Sequence, residues 1–405
     1  MERYINSFAT ENDIQIALQN GELLKPYVAY IEDEKRIDWN SKTKIVDYTT
    51  EYLTFNILSA GTINWTVLGS SAKTIEYKLN DDNWVSITSN TEGAKITVNS
   101  GDKVQFRGNN AQYCDGNSSY NMFSGSTAEF EVEGNIMSLI NSENFATLTT
   151  LESDYTFSYL FYNCKGLTSA ENLILPATTL TNSCYSYMFQ GCTSLTTAPA
   201  LPATTLAYSC YQFMFQGCTS LTAAPALPAI DLASSCYKYM FDGCTSLTTA
   251  PALPATALDY GCYNGMFQGC TKLTTAPALP ATTLTNSCYS YMFAGCTSLA
   301  TAPELPATTI EAYCYRQMFD GCTSLTTAPA LPATTLEGSC YTMMFRNCVK
   351  LNYIKCLATN ISETNCTLDW VNGVAATGTF VKNPNKTWAT GVNGIPTGWA
   401  VQDAS

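Results

Sequence analysis

Residues 175–200 read LPATTLTNSCYSYMFQGCTSLTTAPA, and close copies of that string follow one another through the middle of the chain. The step is fixed. Cys184, Cys210, Cys236, Cys262, Cys288, Cys314 and Cys340 lie 26 residues apart, and so do Cys192, Cys218, Cys244, Cys270, Cys296, Cys322 and Cys348. Phe189 to Phe345 and Leu195 to Leu351 keep the same period. An imperfect unit at 156–180, TFSYLFYNCKGLTSAENLILPATTL, comes first, with Phe161, Cys164 and Leu167 and two extra residues before Pro176. Self-similarity at a fixed period of this size marks a repeat architecture, each unit being one supersecondary element.

Within the unit, Tyr185, Met188 and Phe189 stand at i, i+3 and i+4, the spacing of one face of a helical turn. Asn182 or Ser183 is placed to cap that turn, and Gly191 sits where a left-handed terminating residue is favoured. Leu195-Thr196-Thr197-Ala198 reads as a short β segment stopped by Pro199, and Leu201 to Leu206 as an extended return. A unit this small cannot bury its own apolar face, so its neighbours must cover it. The expected fold is therefore a repeat solenoid, with a short strand and a short helical turn per 26-residue coil. Parallel pairing at about 4.8 Å per coil would make a body roughly 35–40 Å long. Cysteine suits a crowded inward position, where it acts as a small hydrophobe with a weak donor. The fourteen ladder cysteines are accordingly read as structural and reduced, with disulfide-bonded ladders between successive coils as the alternative.

At this point the pattern MFxGCxxLxxAPxLPxxxL resembles the BspA-like leucine-rich repeat of gut Bacteroidota, over Thr156 to Ile361. Met-Phe in place of Ala-Phe, and Ala-Pro after the strand, are departures from that pattern. The resemblance implies a cell-surface adhesin or interaction module. Separately, residues Ser7 to Lys42 are similar to the leading segment of virion-associated proteins in phages of gut Bacteroidota, crAss-like phages included. That second resemblance implies attachment to other virion proteins through the N-terminus.

The flanks divide the chain further. Residues 1–47 form an expected docking segment, with a short amphipathic helix at Thr10–Leu18 carrying Ile14 and Leu18. A hairpin follows, Tyr27–Ile31 and Arg36–Trp39 about the EDEK turn, bringing Tyr27, Tyr30 and Trp39. An ordinary N-terminal cap is the equal alternative. From 48 to 110 the runs YLTFNIL, TINWTVL, TIEYKL, WVSIT, AKITV and KVQFRG alternate in strand fashion, giving a small antiparallel β-sandwich-like domain. Residues 111–155 are expected to cap the first coil, 156–356 to form the leucine-rich-repeat solenoid and 357–405 to cap its end.

Composition narrows the function. A formal charge of −13 with no basic run argues against nucleic acid or an anionic membrane as partner, and no stretch is long enough to span a bilayer. Met1 to Gln19 has no basic start followed by an apolar run, so no secretory leader is read there. With no histidine, the commonest general base and metal ligand are missing, and no CxxC pair suggests a metal site or cofactor. The carboxylates Asp231, Asp242, Asp259, Glu304, Glu311, Asp320 and Glu337 occupy positions that change from coil to coil, as a solvated face does.

What varies is more informative. The second residue after each Tyr reads Tyr187, Phe213, Tyr239, Gly265, Tyr291, Gln317 and Met343, an aromatic stripe on the helical-turn side. Beside it run Gln190, Gln216, Asp242, Gln268, Asp320 and Arg346. Rings supply contact area at low entropy cost, so this strip suits a glycan or a protein surface. The Thr-rich strand face (Thr196, Thr197, Thr274, Thr275) is the rival surface. The expected function is a non-enzymatic phage fibre or decoration protein docked by its N-terminus, assembled in the host cytoplasm. A bacterial surface adhesin is the alternative and a glycan hydrolase the third reading. Homo-oligomerisation stays open.

Overall fold

The computed structural model describes residues 29–31, 35–38, 44–46 and 49–405 apart from 117. Strands β1 (Ala29–Ile31), β2 (Lys35–Asp38) and β3 (Lys44–Val46) make an antiparallel sheet in that order. The hairpin about the EDEK turn is β1–β2, Ala29 opposite Ile37, and β3 adds a third strand. The helix expected at Thr10–Leu18 lies outside the described residues.

The six alternating runs become β4 (Leu53–Ile57), β5 (Gly61–Leu68), β6 (Thr74–Leu79), β7 (Val85–Thr88), β8 (Ala94–Val98) and β9 (Lys103–Arg107). With β10 (Tyr120–Met122), β11 (Phe130–Asn135) and β12 (Leu167–Ile174), they form two sheets, ordered β10-β5-β8 and β12-β11-β4-β9-β6-β7. Period-2 alternation puts Leu53, Phe55 and Ile57 of one sheet, and Ile63, Trp65 and Val67 of the other, in the interior. Phe123 joins them, its ring centroid 4.8 Å from those of Phe55, Trp65 and Phe106. β11 pairs antiparallel with β4 and parallel with β12, which belongs to the first repeat. One sheet thus carries the chain from sandwich into repeats.

In the repeats the expected helical turn is absent, and a ribbon of tandem turns takes its place. In the unit quoted above, Ser183, Tyr187 and Gly191 have φ of 52°, 60° and 73°. Ser183 is therefore not a helix N-cap, which needs extended geometry. The even-numbered donors fold back on their own coil: Cys184, Ser186, Met188, Gln190 and Cys192 each donate to the carbonyl three residues earlier. The odd-numbered donors cross: Ser183, Tyr185, Tyr187, Phe189 and Gly191 donate to Tyr208, Cys210, Gln212, Met214 and Gln216 of the next coil. A positive φ at the third residue of every other turn is the demand of type II geometry. Every N–H of the ribbon is satisfied this way, as a buried backbone requires. Tyr185, Met188 and Phe189 are all fully buried, so their spacing fits a helix and this ribbon alike.

The expected β segments are shorter than read. They reduce to single-residue parallel bridges such as Thr249↔Thr275 and Thr275↔Thr301, with a second line at Thr179↔Thr205 and Thr283↔Thr309. Prolines such as Pro199 and Pro202 remove the donors that would lengthen them. Side chains complete the stacking. The Phe161, Phe189, Phe215 and Phe241 rings follow at 5.3, 5.4 and 5.6 Å with planes within 2° of parallel, and the Tyr185 line stacks likewise. Offset parallel rings contribute roughly 0.5–1.5 kcal/mol per pair beyond burial.

The pattern outlasts the perfect repeats. Tyr341, Met343 and Phe345 donate to Cys366, Leu368 and Trp370, and Asn365, Asp369 and Gly373 take the three positive φ values. Trp370 covers both interior columns, 6.1 Å from Tyr341 and 6.3 Å from Phe345, and Trp388 stacks on it at 5.7 Å. The parallel sheet β13 (Tyr353–Cys356), β14 (Thr379–Lys382), β15 (Ala400–Asp403) ends the chain.

Candidate functional site

The middle positive-φ residue of each ribbon is the variable one: Tyr187, Phe213, Tyr239, Gly265, Tyr291, Gln317 and Met343 all hold φ between 52° and 63°. The methionine that follows it in each coil is fully buried, while this side chain is left half-buried at the surface. The rings stack. Tyr159 lies on Tyr187 at 4.5 Å, Tyr187 on Phe213 at 4.8 Å and Phe213 on Tyr239 at 5.2 Å, and Tyr120 tilts against Tyr159 at 4.5 Å. At Gly265 the column breaks: a Cβ there would sit 2.1 Å from the Tyr239 ring, which occupies the space. Tyr291 stands beyond the break with the Arg316 guanidinium 5.7 Å from its ring centre. Burial among the other rings raises Tyr159, Tyr187 and Tyr239 above the usual phenol range.

The polar line beside the column is engaged with itself. Gln190 Nε2 donates to Gln216 Oε1, and Gln216 Nε2 donates to Asp242 Oδ2 at 2.7 Å. Burial pushes Asp242 above the usual carboxylate range, against the Gln216 hydrogen bond. Gln268 Oε1 is buried with no partner among the described residues. Asp320 pairs with Arg346, whose Nε lies 3.1 Å from both carboxylate oxygens, and accepts from Gln317 Nε2 at 3.1 Å. Three coils separate Asp242 from Asp320. At about 4.8 Å per coil that is roughly 14 Å, beyond the roughly 5–9.5 Å that paired glycosidase carboxylates keep.

All fourteen ladder cysteines are fully buried and unbonded to one another. The second track has a specific partner: Cys192, Cys218, Cys244 and Cys270 Sγ donate to the Phe161, Phe189, Phe215 and Phe241 carbonyls of the preceding coil at 3.0–3.1 Å. Cys296, Cys322 and Cys348 continue the line. Burial raises these thiols far above their usual range, so they stay protonated donors. On the rival face, Thr196 and Thr274 hydroxyls donate to Thr168 and Thr248 carbonyls and are used in stacking. Of the docking residues, Tyr30 lies in β1, while Ile14, Leu18, Tyr27 and Trp39 fall outside the described residues. No group of three metal-ligating side chains and no membrane-length apolar helix occurs among the described residues.

Tyr159 and Tyr120 head the column, yet the sequence stripe omits them. Tyr159 could have been found: it stands two before Phe161, as Tyr187 stands two before Phe189. Tyr120 arrives from β10, where no period announces it.

Coils with a constant buried interior and one variable half-exposed column define a leucine-rich-repeat protein. A family model described as BspA type leucine rich repeat region (6 copies) matches residues 140–252 and 234–366, together more than half of the 405 residues. The chain belongs to that family. No curated protein and no solved structure matches it.

Proposed function

We propose that this chain is a non-enzymatic adhesion protein that holds a surface glycan or protein against the aromatic column of its repeats. BspA-type repeats are common in adhesion proteins. The observation that carries the reading is the stack Tyr159–Tyr187–Phe213–Tyr239, large rings kept half-exposed at a backbone position where glycine would be easiest. In this reading each 26-residue repeat is one closed coil of a solenoid, and the column runs along the resulting rod. A glycan array probed with wild type and with a Tyr187, Tyr239, Tyr291 triple alanine variant tests it. Equal binding by both removes the column from the function.

The finer reading places the protein on a phage particle, docked by residues 1–47, with a bacterial surface adhesin as the alternative. It is supported by the resemblance of Ser7–Lys42 to virion-associated proteins. Deleting Met1–Ser41 is expected to abolish incorporation into particles while leaving the repeats folded. Normal incorporation of the truncated chain refutes the docking role.

A further inference from the structure

Where the β-domain meets the first coils, a cleft of about 240 Å³ opens at the head of the tyrosine column. Tyr120, Tyr155, Tyr159 and Tyr208 form its aromatic walls. Its polar lining comes from Ser158, Ser186 and Gln212. We propose that this cleft is a subsite for one uncharged sugar residue, the end of a glycan whose remaining residues lie along the column. The inference rests on the adhesion reading above and narrows its ligand to a glycan with a neutral terminus.

Size, charge and surface chemistry each point the same way. The volume falls below the roughly 300–1,000 Å³ typical of pockets for larger ligands, and is of the order of a single six-membered ring. No Lys, Arg, Asp or Glu lines the walls. The adjacent charge in sequence is Asp115, between the lining residues Cys114 and Gly116; burial raises both Cys114 and Tyr120, and the negative charge of Asp115 adds to the rise. That charge opposes an anionic sugar, and Asp115 itself is turned to its own loop, accepting from the Ser118 and Ser119 backbone at 2.9 Å. Rings with an electron-rich face complement the weakly positive C–H face of a pyranose. Tyr208 is 56% exposed, an aromatic side chain accessible at the cleft.

The hydroxyls and the amide supply direction. Ser158 Oγ donates to the Ser186 carbonyl at 2.9 Å and Ser186 Oγ to the Ser209 carbonyl at 2.6 Å. Their protons are spent, so both oxygens meet a ligand as acceptors. The Gln212 carboxamide offers donor and acceptor together. The walls are also held in advance of binding. Gly116 has φ +81°, and a Cβ there would lie 2.6 Å from the Tyr155 ring, so the loop presses directly on that wall. The Tyr159 ring is held by its parallel stack on Tyr187 at 4.5 Å. Burial pushes the Cys114 thiol up to about 11, so it stays protonated and is no nucleophile.

The test compares wild type, Tyr208→Ala/Gln212→Ala and Phe213→Ala/Tyr239→Ala on an array of oligosaccharides. These end in neutral hexoses, N-acetylhexosamines, sialic acids or uronic acids. Tyr208 and Gln212 are surface residues, and circular dichroism would confirm that the variant folds. The expected result is wild-type binding to neutral-ended glycans, at least a tenfold loss in the cleft variant, and a partial loss with unchanged terminal preference in the column variant. Wild-type binding by the cleft variant overturns the subsite and leaves the column reading standing. Preference for acid-ended glycans overturns the neutral specificity. If wild type binds no oligosaccharide, the sugar subsite is wrong and only a protein ligand remains for the column.

Discussion

Replacing Phe213 by glycine asks whether the exposed column belongs to the core or stands apart from it. Phe213 holds φ at 57°, a left-handed conformation that costs a residue with a Cβ roughly 1–2 kcal/mol. Glycine removes that strain, but its freer unfolded chain offsets about 0.5–1 kcal/mol of the gain. The ring takes with it two stacks, at 4.8 Å on Tyr187 and 5.2 Å on Tyr239, each contributing about 0.5–1.5 kcal/mol. It also surrenders about half of the roughly 1.5–3 kcal/mol of a fully buried phenylalanine. The net expectation is a destabilisation of about 2 kcal/mol. Phe215, two residues on, is fully buried between Phe189 at 5.4 Å and Phe241 at 5.6 Å. Truncating it to alanine should cost about 3–5 kcal/mol. Urea unfolding followed by circular dichroism, comparing midpoints and slopes, measures both. If Phe213→Gly costs as much as Phe215→Ala, the column is core, and the case for it as a recognition surface fails.

Other expectations follow from the same geometry. Burial raises Asp242 in the folded state, so its contribution favours folding below the unfolded carboxylate range and is lost as pH rises through the raised value. Asp242→Asn should therefore melt higher than wild type at pH 7 and match it near pH 3; a lower melting point at pH 7 would contradict this. Cys244→Ala deletes the Sγ contact to Phe215 O at 3.1 Å and leaves a small void, a loss of about 1–2 kcal/mol by urea unfolding. All eighteen thiols are buried, so a thiol reagent should label them only after unfolding, and rapid labelling of the native protein would refute the buried ladder. At Gly217 a Cβ meets nothing nearer than 3.8 Å, so Gly217→Ala should cost only the roughly 1–2 kcal/mol of its left-handed backbone. Gly265→Ala must also displace the Tyr239 ring, and equal costs for the two would argue that the ring does not rest there.

The period was readable because every coil meets the same neighbours, so Cys192, Phe189 and Leu195 are constrained identically each time. The ribbon was misread as helix because Tyr185, Met188 and Phe189 are buried in either geometry. A discriminating mark does exist in the string. Gly261, Gly265 and Gly191 occur at the first, second and third positive-φ places, four residues apart within the unit, and Asn163 and Asn347 stand in the place of Gly191. Those are the residues that tolerate such a backbone. The same logic finds the extra coil: Cys366 lies 26 after Cys340, and Gly373 stands in the place of Gly191. The cleft was not readable, because Gly116 and Tyr120 come from a segment with no repeat to align, and it is long-range main-chain bonds, Tyr113 N–H to Thr156 O and Phe123 N–H to Leu160 O, that bring it to the first coil.

The alternation of donors, one inward and the next across, has a consequence for inheritance. Because each ribbon meets its neighbour through main-chain groups and near-identical side chains, an in-frame gain or loss of 26 codons restores every cross-coil bond with a new partner of the same kind. Recombination between such similar units would therefore yield folded progeny, longer or shorter by about 4.8 Å for each copy. The cleft at one end and the tryptophan stack at the other would survive such an event, and only the distance between them would change.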